Sequence, residues 1–231
     1  MITNAITRIP TTRRDNAFLV TGDDGLTLVD VGWAGAPKVL LGALTEHGHQ
    51  LADLKRIMIT HAHPDHVRGL AEFRRHTNAD VLIHPADAAW LRAGRVPVGG
   101  RSGRIGAVLD AMPLLHWQPV EPDGELVDGE VIGGLRVIHT PGHSPGHVAL
   151  LHEDSRTLLV GDAIFHRGAA PETGPAALSH DPAERDASLS KLPLDVHAVG
   201  FAHGAPLVGA DVESYQTWLS SGPHRPVRRA R

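Results

Sequence analysis

A layered α/β fold is predicted by two features of the sequence: apolar runs of strand length recur along the chain, and segments of helical spacing stand between them. The strand runs are NAFLV, GLTLVDVG, LKRIMIT, ADVLIHP, EVIGGLRVIHT, HVALLHE and RTLLVGD, bounded by Gly, Asp, Pro or charged residues, with a shorter run at 198–202. Helices are expected over 36–47, 64–76, 85–93, 182–192 and 211–219. Pro64, Pro85 and Pro182 suit a first helical turn, where a missing amide hydrogen costs nothing. Residues 94–122 are rich in Gly, Pro and Arg and read as a long surface excursion with a short helix at 105–111. That excursion is either a mobile wall over the functional site or ordinary packing, including a homo-oligomer contact. Residues 1–220 are expected to form one domain, and the basic, Pro-containing tail 221–231 to be solvated and disordered.

With 231 residues and 42% hydrophobic content the chain can bury a substantial core. Lys and Arg number 22 against 26 Asp and Glu, a formal net charge of −4, which disfavours a nucleic-acid partner. Cysteine is absent, so disulfides, thiolate nucleophiles and Cys-held metal sites are excluded, and any metal must be held by nitrogen and oxygen. The opening residues MITNAITRIPTTRRDNAF hold no apolar run of signal-peptide length, and the next apolar stretch is broken by Asp30 and Lys38. A cytoplasmic protein without a membrane partner is therefore expected. Histidine is the outlier, 17 residues against 3 Lys, and prompts a search for metal-ligand spacing.

That spacing appears directly after LKRIMIT, where His61-Ala62-His63-Pro64-Asp65-His66 offers four ligands within six residues. Extended backbone puts His61 and His63 on one face, and a helix opening at Pro64 lifts Asp65 and His66 back over the same point. A second cluster, Thr140-Pro141-Gly142-His143-Ser144-Pro145-Gly146-His147, follows a strand and is stiffened by Pro and Gly. One of its two histidines is expected to bind metal while the other orients the site. Asp162 ends the strand run at 157–160, where a buried carboxylate is costly without a cation; it is either a ligand bridging two metals or a turn residue. His203 likewise closes the run at 198–202. His84 reads as a satisfied structural histidine.

Together these segments resemble the metallo-β-lactamase superfamily over nearly the whole chain, from Asp30 in LVDVG to His203 in AHG. The resemblance implies a four-layer αββα sandwich, with His61, His63 and His143 around one metal, Asp65, His66 and His203 around another, and Asp162 between them. It also implies that Asp30 and His147 support the site without binding metal, and that Asp65 acts on the reacting water. Two divalent ions are implied, zinc first, with iron or manganese as alternatives. Metals so placed lower the pKa of a shared water and polarise a substrate oxygen, so no Ser or Cys nucleophile is needed.

Substrate is harder to read, because the fold carries many chemistries. Little chain follows His203, less than the helical glutathione-binding domain of glyoxalase II requires. The expected substrate is a small ester, thioester or lactone. A β-lactamase with only His and Asp ligands, and a mononuclear iron enzyme similar to persulfide dioxygenases, are the alternatives. A non-catalytic relative would be expected to have lost ligands, and all the expected positions are filled here.

Overall fold

The computed structural model describes residues 1–222, and the tail from 223 onward lies outside the described residues. Two mixed sheets form the centre. In the first, β1 (Ile6–Pro10), β2 (Asn16–Gly22), β3 (Gly25–Val29), β4 (Leu54–Ile59), β5 (Asp80–Ile83) and β6 (Gly124–Glu125) lie side by side in that order, antiparallel up to β3 and parallel beyond it. The second contains β7 (Val131–Ile132), β8 (Leu135–His139), β9 (Val148–His152), β10 (Thr157–Leu159), β11 (Ala198–Gly200) and β12 (Leu207–Val208), again adjacent in chain order. Its pairs are antiparallel except β10 with β11.

Three apolar clusters occupy the three spaces between four layers, which explains why the strands read as continuous apolar runs. Phe18, Val20 and Met58 of the first sheet meet Val137, Val148 and Leu150 of the second between the sheets. The alternate residues Leu19, Leu28, Ile57 and Ile59 face outward onto Leu40 and Leu44 of α1 (Ala36–Glu46), Phe73 of α3 (Leu70–Phe73) and Leu91 of α4 (Pro85–Ala93). On the far side, Leu151, Leu158 and Val199 pack against Val212 and Tyr215 of α7 (Val212–Ser220), and the helix expected over 182–192 is shorter, α6 (Pro182–Ser188) followed by a 3-10 turn at Leu189–Lys191. Each such aliphatic or aromatic side chain taken fully out of water contributes about 1.5–3 kcal/mol. Among the described residues no helix is long and apolar enough to cross a membrane.

Three expectations need correction. The helix expected over 64–76 is split into α2 (Pro64–Val67), α3 and a 3-10 turn at Arg74–His76. The break falls at Gly69, where a Cβ would stand 2.8 Å from both the Trp33 carbonyl and Pro37 Cδ, so the loop before α1 presses against the chain there. EVIGGLRVIHT is a hairpin: Gly133 and Gly134 both take left-handed angles and join Ile132 to Leu135 in a two-residue turn. Finally, β1 was not foreseen, since ITRIP ends in Pro and shows little alternation.

The excursion 94–122 is better ordered than its composition suggests. Helix α5 (Gly103–Asp110) replaces the expected 105–111, and Val96, Trp117 and Val120 join the outer core. Arg101 and Asp110 form a buried ion pair at 2.7 Å, with Asp110 also accepting from the Arg101 amide at 2.9 Å. Both side chains are at most 5% exposed, so removing one strands the other's charge. Asp110→Ala is expected to cost about 3–5 kcal/mol in urea unfolding, and the paired apolar replacement Arg101→Met with Asp110→Leu much less. Equal costs for the two variants would mean that the charge is not what anchors the segment.

Candidate metal centre

The site residues stand where parallel strands end. Asp30 follows β3, His61 follows β4, Asp162 follows β10 and His203 follows β11, so four connections deliver their side chains to one edge of the two sheets. His143 and His147 arrive on the turn between β8 and β9. His63 is extended (φ −113°, ψ 154°) and Pro64 opens α2, which sends the chain back so that Asp65 and His66 converge with His61.

Two groups of donors result. His61, His63 and His143 form a triangle of imidazoles with every pair of ring centres 4.6 Å apart. Asp65, His66, Asp162 and His203 form the second group, and in each group one donor atom per residue lies within 4.8 Å of the others. Asp162 touches both: one oxygen is 3.4 Å from His143 Nε2, and the other is 3.3 Å from His66 Nε2 and 3.2 Å from His203 Nε2. Buried atoms without any hydrogen-bond partner gather here, including His61 Nε2, His63 Nε2 and His143 Nδ1, while His66 Nε2 and Asp162 Oδ1 have only the longer contacts just given. Buried polar atoms in folded proteins are otherwise nearly always paired. This concentration of nitrogen and oxygen donors, with no sulfur, fits divalent metal ions.

Supporting residues fix the orientations. Asp30 adopts a left-handed φ of 60°, an uncommon conformation for a residue with a side chain, and its carboxylate accepts from the Thr60 amide, the Thr60 hydroxyl and His66 Nδ1, each at 2.8 Å. His147 stays out of both groups: its Nε2 accepts from the Asp162 amide at 2.9 Å, and its Nδ1 meets the Thr140 hydroxyl at 2.8 Å. His84 lies apart, its ring accepting from the Ala86 amide at the start of α4 and stacking on His139.

Electrostatics divides the imidazoles. Burial holds His61 and His63 well below the ordinary histidine value and pushes His143 down to about 4, leaving all three neutral and able to donate lone pairs. Burial opposes charge on His66 and His203 as well, but Asp30 and Asp162 lift His66 well above the ordinary value. Asp162, Asp15 and Asp65 lift His203 to about 12. The same contacts hold Asp162 well below the usual carboxylate range despite its burial.

Several participants escaped the sequence reading. Asp15 holds His203 Nδ1 at 2.9 Å, and Trp90 lies nearly parallel to His63 with ring centres 6.1 Å apart. Asp87, fully buried in the first turn of α4, accepts from the Ala62 amide at 2.9 Å, the Ser144 hydroxyl at 2.6 Å and the Gly146 amide at 2.6 Å. It therefore ties the His61–His63 corner to the His143–His147 turn. An acidic residue in a first helical turn ordinarily reads as a dipole partner, which hides this role.

Asp87→Asn is expected to keep the fold but turn one acceptor into a donor facing a donor, lowering divalent-metal affinity about 10-fold or more in competition with a chromophoric chelator. Unchanged affinity would reduce Asp87 to a helix-terminal residue. The imidazole shifts give a second expectation. Below the reference value of 6.5 an unfolded chain takes up protons that His61, His63 and His143 refuse when folded, so the metal-free protein loses stability as pH falls from 6.5 toward about 4. Thermal melts of metal-free protein across that window check the sign.

Comparison with known proteins agrees with this geometry. The model of the metallo-beta-lactamase superfamily matches residues 10–205. A probable metallo-hydrolase of Bacillus subtilis is 26% identical, covering 84% of this chain and 81% of its own. A hydroxyacylglutathione hydrolase of Pseudomonas savastanoi is 35% identical over 69% of this chain, but the match spans only 51% of that protein. Among solved structures, a subclass B3 metallo-beta-lactamase of Bradyrhizobium japonicum superposes with a TM-score of 0.70 at 21% identity, covering 95% of this chain and 89% of that one. With the family model spanning most of the chain and the αββα layers in place, the chain belongs to the metallo-beta-lactamase superfamily, a family of metal-binding proteins.

Proposed function

We propose that this metallo-hydrolase cleaves a small ester, thioester or lactone, with one divalent metal held by His61, His63 and His143 and a second by Asp65, His66 and His203. The observation that carries the reading is the placement of Asp162, whose two oxygens face the two donor groups and suit it to bridge them. Bound divalent metals supply Lewis-acid polarisation of a substrate oxygen and activation of water.

The chain's own residues do the rest. Asp30 and His147 hold His66 and the Asp162 backbone in place, and the neutral imidazoles of the first group present lone pairs rather than protons. Asp65 is the most open of the set, with its side chain 24% exposed against 2–5% for His66, Asp162 and His203. His203 and His66 overcome the effect of burial and hold its carboxylate below the usual range, so it is ionised and, as an acceptor open to the cavity, suited to orient attacking water. A cavity of about 690 Å³ opens beside Asp65 and His203, a size suited to a small molecule. The identity shared with a hydroxyacylglutathione hydrolase supports the thioester arm.

Metal analysis of purified protein, with ester, thioester, lactone, β-lactam and phosphodiester substrates in one panel, tests the proposal. About two metals per chain and hydrolysis of the acyl substrates are expected, with turnover lost on chelation. Asp162→Asn is nearly isosteric and should fold, yet lose metal and at least ~100-fold in kcat, as when a main electrostatic stabiliser is removed. Full metal content and near-parent turnover in that variant would make Asp162 a strand-end turn residue and sink the bridged arrangement.

A further inference from the structure

The cavity beside Asp65 and His203 is lined by Arg13, Arg14, Arg167 and Trp33, a concentration of positive charge that metal binding does not require. Two parts of the chain deliver it. Arg13 and Arg14 ride the turn between β1 and β2, where the Thr12 hydroxyl accepts from the Arg14 and Asp15 amides at 3.0 and 3.1 Å and donates to the Asp15 carboxylate at 2.6 Å. Asp15 also accepts from Trp33 Nε1 at 3.1 Å and contacts His203 at 2.9 Å, so the turn is fastened to the candidate metal centre. Arg167 lies 4.4 Å above the Phe165 ring, which stacks on the His203 imidazole at 4.8 Å with the planes 6° apart. The His166 amide donates to the His203 carbonyl at 2.9 Å and ties this second part to the same residue.

Among the described residues these three arginines share one cavity and stand unpaired, as the exposed Arg95 and Arg104 also do. Elsewhere Arg74 faces Asp123, Arg92 faces Glu121 and Arg101 faces Asp110. Among the described residues the Arg13 and Arg14 guanidinium groups have no hydrogen bond or ion pair, and Arg167 has only its ring contact. The carboxylates in the cavity do not neutralise them, because Asp15 and Asp65 both face His203, at 2.9 and 3.4 Å. An unpaired guanidinium fork matches the geometry of a carboxylate or a phosphate. In a chain of net charge −4, a basic cavity also focuses anions that the surface as a whole repels.

We propose that the substrate carries an anionic group, a carboxylate or a phosphate, held by Arg13, Arg14 and Arg167 while its scissile acyl group lies at Asp65 and His203. This rests on the hydrolase reading and adds the charge of the substrate and the residues that select it.

Glutarate and its monoamide, glutaramate, share one carboxylate and differ in the second. Calorimetric titration of metal-loaded protein at fixed ionic strength should show glutarate binding at least ~10-fold more tightly, as a charge-assisted contact provides. The preference should vanish in the combined variant Arg13→Gln, Arg14→Gln, Arg167→Gln; Arg13→Gln alone, on an exposed turn, repeats the comparison if the combined variant melts early. Turnover of neutral, carboxylate-bearing and phosphate-bearing esters of equal length forms the second arm. A KM about 10-fold lower is expected for the fitting anion, which identifies it, with this discrimination lost in the combined variant. Equal binding of glutarate and glutaramate by the parent, or a preference that survives in the variants, overturns the proposal. A parent that prefers glutarate but cleaves no ester keeps the anion site and overturns the hydrolase reading instead.

Discussion

The Asp162 carboxylate is the constraint on which the site depends. It is 3% exposed at the end of β10, and taking a carboxylate out of water costs several kcal/mol unless positive charge accompanies it. Without metal that charge is supplied by His66 and His203, both held above the ordinary imidazole value by the same carboxylates they face. The three imidazoles around His61 do the opposite and stay neutral. One side of Asp162 is therefore protonated and the other side offers lone pairs. A divalent ion entering the second group must displace protons from His66 and His203, whereas one entering the first meets free donors. The two donor groups differ electrostatically although both face Asp162.

What the sequence made legible was local. His61, His63, Asp65 and His66 sit within one corner, and strand alternation plus Pro64 are enough to bring them together. The paired outer and inner faces of Ile57, Met58 and Ile59 explain why the strands read as unbroken apolar runs and why the layers could be inferred. Asp15 and Asp87 were invisible for the opposite reason. Each acts on a partner distant in sequence, as Asp15 does on His203 and Asp87 on Gly146, and no local period marks such a contact. The split at Gly69 belongs to the same class, since only the folded chain shows Trp33 and Pro37 pressing on it. The Gly133-Gly134 turn differs: its signal was present in two adjacent glycines but was outweighed by the apolar residues on either side.

The connections around the site are held by polar side chains as well as by apolar burial of residues such as Val31, Ala62 and Phe201. Asp87 clamps two donor-bearing loops, Asp30 binds Thr60 and His66, and Thr140 and His147 carry the Asp162 amide. Such networks add rigidity to that packing. A rigid frame of this kind keeps several donors converging on one point, at the cost of the strained Asp30 backbone.

Asn16 adds a consequence for how the molecule is made. Its side chain donates to the Phe201 and Gly204 carbonyls at 2.9 and 2.8 Å, and its amide donates to the Ala202 carbonyl at 2.9 Å. The start of β2 and the loop bearing His203 thus grip each other across nearly the whole sequence. During synthesis the first sheet can pair as its strands leave the ribosome, since each is bonded to its neighbour in chain order. The donor set cannot close until residues 201–204 have emerged and found a strand made some 185 residues earlier. A nascent chain therefore passes through a stage in which the first histidine corner exists without its closing partner, and metal captured then would be held by an incomplete set of donors.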